Sequence, residues 1–72
     1  SPYYPMTKIR VILADDEPEA REGLLFLLEK EKDIEVVATC ANGLQAIEAV
    51  RTLRPDLLFL DIQMPGPMDL KY

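Results

Sequence analysis

The stretch Ile9-Arg-Val-Ile-Leu-Ala-Asp-Asp-Glu17 decides the fold. Ile9, Val11 and Leu13 alternate with Arg10, Ile12 and Ala14, so apolar residues occupy both parities of an extended segment. That is how a strand buried on both faces of a parallel sheet reads. The segment then runs directly into acid at Asp15, Asp16 and Glu17. A second apolar run, Leu57-Leu-Phe-Leu60, ends the same way in Asp61. Ligands of open parallel sheets gather outside the carboxyl ends of the strands, where successive connections diverge to opposite faces. If the two strands are neighbours, Asp15, Asp16 and Asp61 converge there as a pocket of three carboxylates. Carboxylates about 5 Å apart repel by roughly 3 kcal/mol per pair at an effective dielectric near 20. A hard divalent cation relieves that repulsion, and all-oxygen ligands suit Mg²⁺ or Mn²⁺.

Between the two strands the apolar period changes. Asp16-Glu17-Pro18 is a helix start, with acid at the positive end of the helix and Pro in the first turn. Ala20, Leu24, Leu27 and Leu28 recur at helical spacing and are expected to be buried, with Arg21, Glu22, Glu29 and Lys30 facing water. Gly23 costs that helix about 1 kcal/mol against Ala, and close packing on the sheet would explain its use. Ile34–Thr39 follows as a short strand. Asn42-Gly43 reads as the turn and cap of a second helix, whose expected buried stripe is Leu44, Ile47 and Val50. Arg54-Pro55 ends it, because the residue before Pro is pushed out of the helical region. The order is β-α-β-α-β with short connections, which predicts a parallel sheet with right-handed crossovers and a helix on each face.

Composition narrows the function. The chain has 72 residues, so one small domain is the upper limit, and a core of that size rarely supplies more than about 3–5 kcal/mol. Hydrophobic content of 49% argues against disorder. Eight basic and 13 acidic residues leave a net charge of −5, with no Lys/Arg cluster, which opposes direct contact with nucleic acid or an anionic membrane. Cys40 is the only cysteine, so no intrachain disulfide forms and a reducing, cytoplasmic compartment is expected. The thiol reads as a small buried hydrophobe. No apolar run approaches about 18 residues. Histidine is absent, which removes imidazole-based triads and zinc sites.

Taken together, Ile9–Glu17, Arg21-Glu-Gly-Leu24, Ala41-Asn-Gly43 and Leu57-Leu-Phe-Leu-Asp-Ile-Gln-Met-Pro-Gly66 resemble a response-regulator receiver domain of a two-component phosphorelay. The resemblance covers residues 6–66 and preserves order and spacing as well as motifs. It implies a flavodoxin-like, doubly wound fold of strand order 2-1-3-4-5, of which this chain would carry 2-1-3. It implies a phosphoacceptor rather than an enzyme with a separate substrate, with Asp61 taking the phosphoryl group. Asp16 would bind Mg²⁺ directly, Asp15 through water or hydrogen bonds, and the backbone carbonyl of Gln63 would add a further oxygen. The implied donor is a sensor histidine kinase or a small phosphodonor.

Several expectations concern the ends. Residues 1–5 read as an appended leader and residues 67–72 as a tail outside the family pattern, so the chain reads as an engineered or truncated half-domain. The family's Ser/Thr after strand 4 and Lys after strand 5 have no counterpart here, which predicts inefficient phosphorylation without competent switching. The competing reading is a structural module that self-associates. Its third strand would be an apolar edge that pairs with its mate in a homodimer.

Overall fold

The computed structural model describes residues 7–62. Five elements follow in the order expected: β1 (Ile9–Asp15), α1 (Pro18–Glu29), β2 (Ile34–Cys40), α2 (Gly43–Leu53) and β3 (Leu57–Asp61). The three strands form one parallel sheet of order β2-β1-β3. No helix among the described residues is long and apolar enough to cross a membrane. The expected leader and tail, and Gln63, lie outside the described residues.

The centre of the sheet is the strand that the sequence marked as two-sided. Val11, Ile12 and Ala14 are completely buried and Leu13 nearly so. Ile12 and Ala14 join Cys40 and Ala46 in the core under α2, with Ala49, Val50, Leu53 and Leu58 packed around them. Val11, Leu13 and Asp15 therefore take the opposite face, where right-handed crossovers put α1. Ile12→Ala would cost about 2–5 kcal/mol, as much as a core of this size holds.

The expected faces hold in part: Leu24 and Leu28 of α1 and Val50 of α2 are half-buried, and the other expected residues are exposed. In α1 the half-buried residues are Arg21, Leu24, Leu25 and Leu28, a stripe at helical spacing, while Ala20 and Leu27 are exposed. In α2 the stripe is Gly43, Ala46, Ala49, Val50 and Leu53, with Leu44 pointing away and Ile47 half-exposed at the rim of a groove shared with Leu58 and Leu60. In α2 the residue nearest the core is small, Ala46 at 4% exposure, which lets the helix backbone approach the sheet. Gly23 does not serve that purpose: a Cβ there meets nothing within 4 Å. Phe26, also on the outer side of α1, is capped by the Lys30 ammonium at 4.4 Å from the ring centroid.

The ends of α2 are built as the sequence indicates. The Asn42 side chain accepts from the Gln45 amide at 2.8 Å, and Gln45 Oε1 accepts from the Ala41 amide at 2.8 Å. This reciprocal arrangement satisfies two donors at the helix start. The helix stops at Arg54, whose φ of 50° is left-handed rather than extended. That turn lets the Arg54 amide bond the Val50 carbonyl before Pro55 redirects the chain.

Two details set strand register. β2 carries a bulge: Val11 pairs with Val36 but Ile12 pairs with Ala38, so Val37 is the extra residue. At the start of β3, the Arg10 amide donates to Asp56 Oδ2 and the Asp56 amide donates to the Arg10 carbonyl, both at 2.8 Å. Arg10 Nη1 also reaches the carbonyls of Leu53 and Arg54 at 2.7 and 2.9 Å. Arg10 thus caps the end of α2 and fixes the start of β3 together.

Candidate functional site

Each acid arrives at the carboxyl edge of the sheet by its place on an element. Asp15 is the last residue of β1 and Asp61 the last of β3, and the two are register partners. Paired residues in neighbouring parallel strands share a face, so both lie on the side of the sheet that holds α1. Asp16 follows Asp15 into the turn. Asp15, Asp16, Glu17, Ala20 and Asp61 line one open pocket of about 470 Å³ above the start of α1.

The carboxylates differ in their surroundings. Asp15 is only 4% exposed, and its Oδ1 accepts the Glu17 amide at 2.9 Å. Its side chain therefore closes the β1–α1 turn as well as facing the pocket. Glu17 stands at the N-cap of α1 and makes no side-chain capping bond, and Pro18 begins the helix. Glu17 stands exposed at the positive end of the helix, as expected, and also lines the pocket. Asp16 and Asp61 are exposed to solvent.

The chemistry of this donor set suits a hard divalent cation, because it is carboxylate oxygen throughout. Among the described residues, however, no three His, Cys, Asp or Glu side chains are gathered closely enough to hold one ion. The acids share a pocket without closing into a cage. Mg²⁺ is commonly held by one or two carboxylates and keeps several waters, so an open pocket of this width fits its habit better than a dedicated protein cage.

One residue of the site was not foreseen. Arg21 was expected to face water, but it lies on the half-buried stripe of α1, and its Nη1 donates to the Asp15 carbonyl at 2.8 Å. The available signal was spacing: Arg21 falls one turn into the helix, in line with Leu24, Leu25 and Leu28. Its charge also reaches Cys40, the last residue of β2. Burial pushes the Cys40 thiol up, and the Arg21 guanidinium pulls it part of the way back.

Comparison with known proteins gives a consistent result. The family model described as "Response regulator receiver domain" matches residues 11–69. The transcriptional regulatory protein BtsR of Salmonella typhi is 61% identical over 57 residues, covering 79% of this chain and 24% of BtsR. BtsR of Escherichia coli K12 is 56% identical over the same span. The chain therefore spans about a quarter of the length of the curated relatives it matches. Among solved structures, the signal receiver domain of the response regulator NarL from Mycobacterium tuberculosis superposes with a TM-score of 0.78 at 37% identity, over 83% of this chain and 48% of that one. RcsB from Salmonella enterica serovar Typhimurium, bound to promoter rprA in the presence of the phosphomimetic BeF₃⁻, superposes with a TM-score of 0.74 at 30% identity, over 85% of this chain and 30% of that one. That second neighbour is a promoter complex, so the expected exclusion of nucleic acid gains no support from the comparisons.

Proposed function

Because the chain belongs to the response-regulator receiver domains of two-component signalling, we propose that Asp61 accepts a phosphoryl group in the pocket at the carboxyl edge of its sheet. The observation that carries this reading is the register pairing of Asp61 with Asp15, which puts an exposed carboxylate beside a buried one at a single pocket. In the reaction an Asp61 carboxylate oxygen attacks phosphorus in line. A P–O bond forms, the bond from phosphorus to the donor breaks, and the donor keeps that bond's electron pair. The donor is the phosphohistidine of a sensor kinase or a small acyl phosphate, and a cytoplasmic location belongs to the same reading.

The chain's own residues supply position and charge. Asp61 sits at a strand end, so its carboxylate projects into solvent where a donor can reach it. Asp15 is held by its bond to the Glu17 amide, which fixes the turn that presents Asp16. A divalent cation bound by Asp16 and Asp61, with Asp15 behind them, would neutralise the phosphoryl oxygens as charge shifts during transfer. Without it, three acids and an incoming phosphoryl group would repel one another.

The reading is tested with BeF₃⁻ and Mg²⁺, a phosphoryl mimic that binds only the folded site. Together they should raise the melting midpoint of the wild type and leave Asp61→Asn unmoved. Equal stabilisation of both proteins would remove Asp61 from the reaction.

One observation favours a second reading for the 72-residue chain, self-association. Leu57, Phe59 and Leu60 of β3 are 45, 36 and 53% exposed. Leu58 and Leu60 join Ala46, Ile47 and Val50 around an apolar groove of about 230 Å³. Among the described residues only β1 pairs with β3, which leaves the other strand edge with unpaired backbone groups. A second copy could continue the sheet there. Sedimentation over a range of concentrations tests this. A dimer that Leu60→Lys returns to monomer supports it, and a cooperatively folded monomer throughout removes it.

A further inference from the structure

We propose that Arg21 is a positioning residue for the acidic turn: its guanidinium holds the Asp15 carbonyl and thereby sets where Asp15 and Asp16 face Asp61. The proposal rests on the reading of this pocket as the phosphoacceptor site, and it concerns a residue outside the acid cluster. Three features carry it. Arg21 Nη1 donates to the Asp15 carbonyl at 2.8 Å, across a span of six residues that contains the whole turn. The bonded carbonyl belongs to the same residue whose Oδ1 takes the Glu17 amide at 2.9 Å, so both ends of Asp15 are fixed. Arg21 is itself half-buried on the face of α1 that packs against the sheet, which restricts the arm that reaches back.

The arrangement ties helix to strand at the point where the chain changes direction. The Asp15 carbonyl is the last of β1, and at a strand end a carbonyl without a partner is free to rotate, taking the next peptide with it. That next peptide carries Asp16. An arginine is suited to the task because its fork is planar and always charged, whereas a lysine presents a compact head on a flexible stem. Its positive charge, seated on the backbone of a pocket residue, has a second, opposite consequence: by charge alone it would repel a cation from the pocket. Positioning and electrostatics therefore predict opposite effects when Arg21 is changed.

The experiment uses Arg21→Gln, Arg21→Lys and, as a packing control on the same stripe, Leu24→Ala. Hydrogen exchange at the Glu17 amide reports the turn directly and requires no metal. Arg21→Gln should lower protection at Glu17 by about tenfold beyond any change across the rest of α1, the scale of one charge-assisted hydrogen bond. Leu24→Ala should change Glu17 only in step with its helix. Unchanged relative protection of Glu17 in Arg21→Gln would overturn the proposal. Mn²⁺ titration of the same proteins gives the second readout. Positioning predicts affinity in the order wild type, Arg21→Lys, Arg21→Gln. The reverse order, with Arg21→Gln tightest, would mean that Arg21 acts by charge only and would also overturn it. Absence of Mn²⁺ binding by the wild type defeats the metal reading of the pocket, while the Glu17 amide still decides the role of Arg21.

Discussion

Asp15 and Asp61 are partners in the parallel register of β1 and β3, one 4% exposed and committed to the Glu17 amide, the other open to solvent. The pairing gives two carboxylates of the same type different work. The buried one shapes the turn and the exposed one is available to react. It also makes the site depend on register, because a slip of one residue between β1 and β3 would send Asp61 to the face of the sheet covered by α2.

The register is fixed at the opposite end of β3, by Arg10 and Asp56. Arg10→Ala should cost about 1–2 kcal/mol, since it removes two charge-assisted bonds to the carbonyls of Leu53 and Arg54. Asp56→Ala should cost about 1 kcal/mol by removing the acceptor of the Arg10 amide. Urea denaturation measures both, and the double variant should lose less than the sum because the two residues share one junction.

Millimolar Mg²⁺ or Mn²⁺ should raise the melting midpoint and EDTA should reverse it. At a concentration ten times Kd the gain is about 1.4 kcal/mol. Asp16→Asn and Asp61→Asn should each weaken the metal effect, and each should stabilise the metal-free protein slightly by relieving repulsion. Melting curves with and without EDTA test both halves.

Gly23→Ala should stabilise the chain by about 1 kcal/mol. The position is inside α1, and a methyl group there meets no neighbouring atom within 4 Å. Chemical denaturation checks the gain, and a loss would mean that some neighbour occupies that space.

Cys40 carries a pH prediction. Burial holds its thiol neutral in the folded state, so its pKa lies above that of the unfolded chain. The associated stability is fully present below the unfolded thiol pKa and is lost as pH rises through the folded one. Melting midpoints should fall across that alkaline range, and Cys40→Ala should flatten the fall. Arg21→Gln should move the onset of alkylation at Cys40 to higher pH, because the guanidinium lowers the thiol pKa.

The strands were legible in the sequence because β1 and β3 are apolar on both parities until an acid ends them, whereas their order, and with it the convergence of the acids, followed from the resemblance to receiver domains. The helix faces were less legible. Leu27 and Leu44 are as apolar as residues that pack, yet they are exposed, while Ala46 and part of Arg21 lie inward. Hydrophobic type alone does not say which side of a helix meets the sheet, since in α2 the small Ala46 is buried and the larger Leu44 is not. The Arg10 junction joins residues 43–46 positions apart, and no local pattern announces it. The same holds for the Val37 bulge, which changes pairing without changing composition.

The central claim is that Asp61 accepts the phosphoryl group, and intact-mass measurement after incubation with acetyl phosphate and Mg²⁺ tests it most directly. The account predicts a single phosphoryl adduct on part of the wild-type population, labile to hydroxylamine as an acyl phosphate is, and none on Asp61→Asn. An adduct that persists in Asp61→Asn, or a wild type that is never modified while folded and loaded with Mg²⁺, would contradict it.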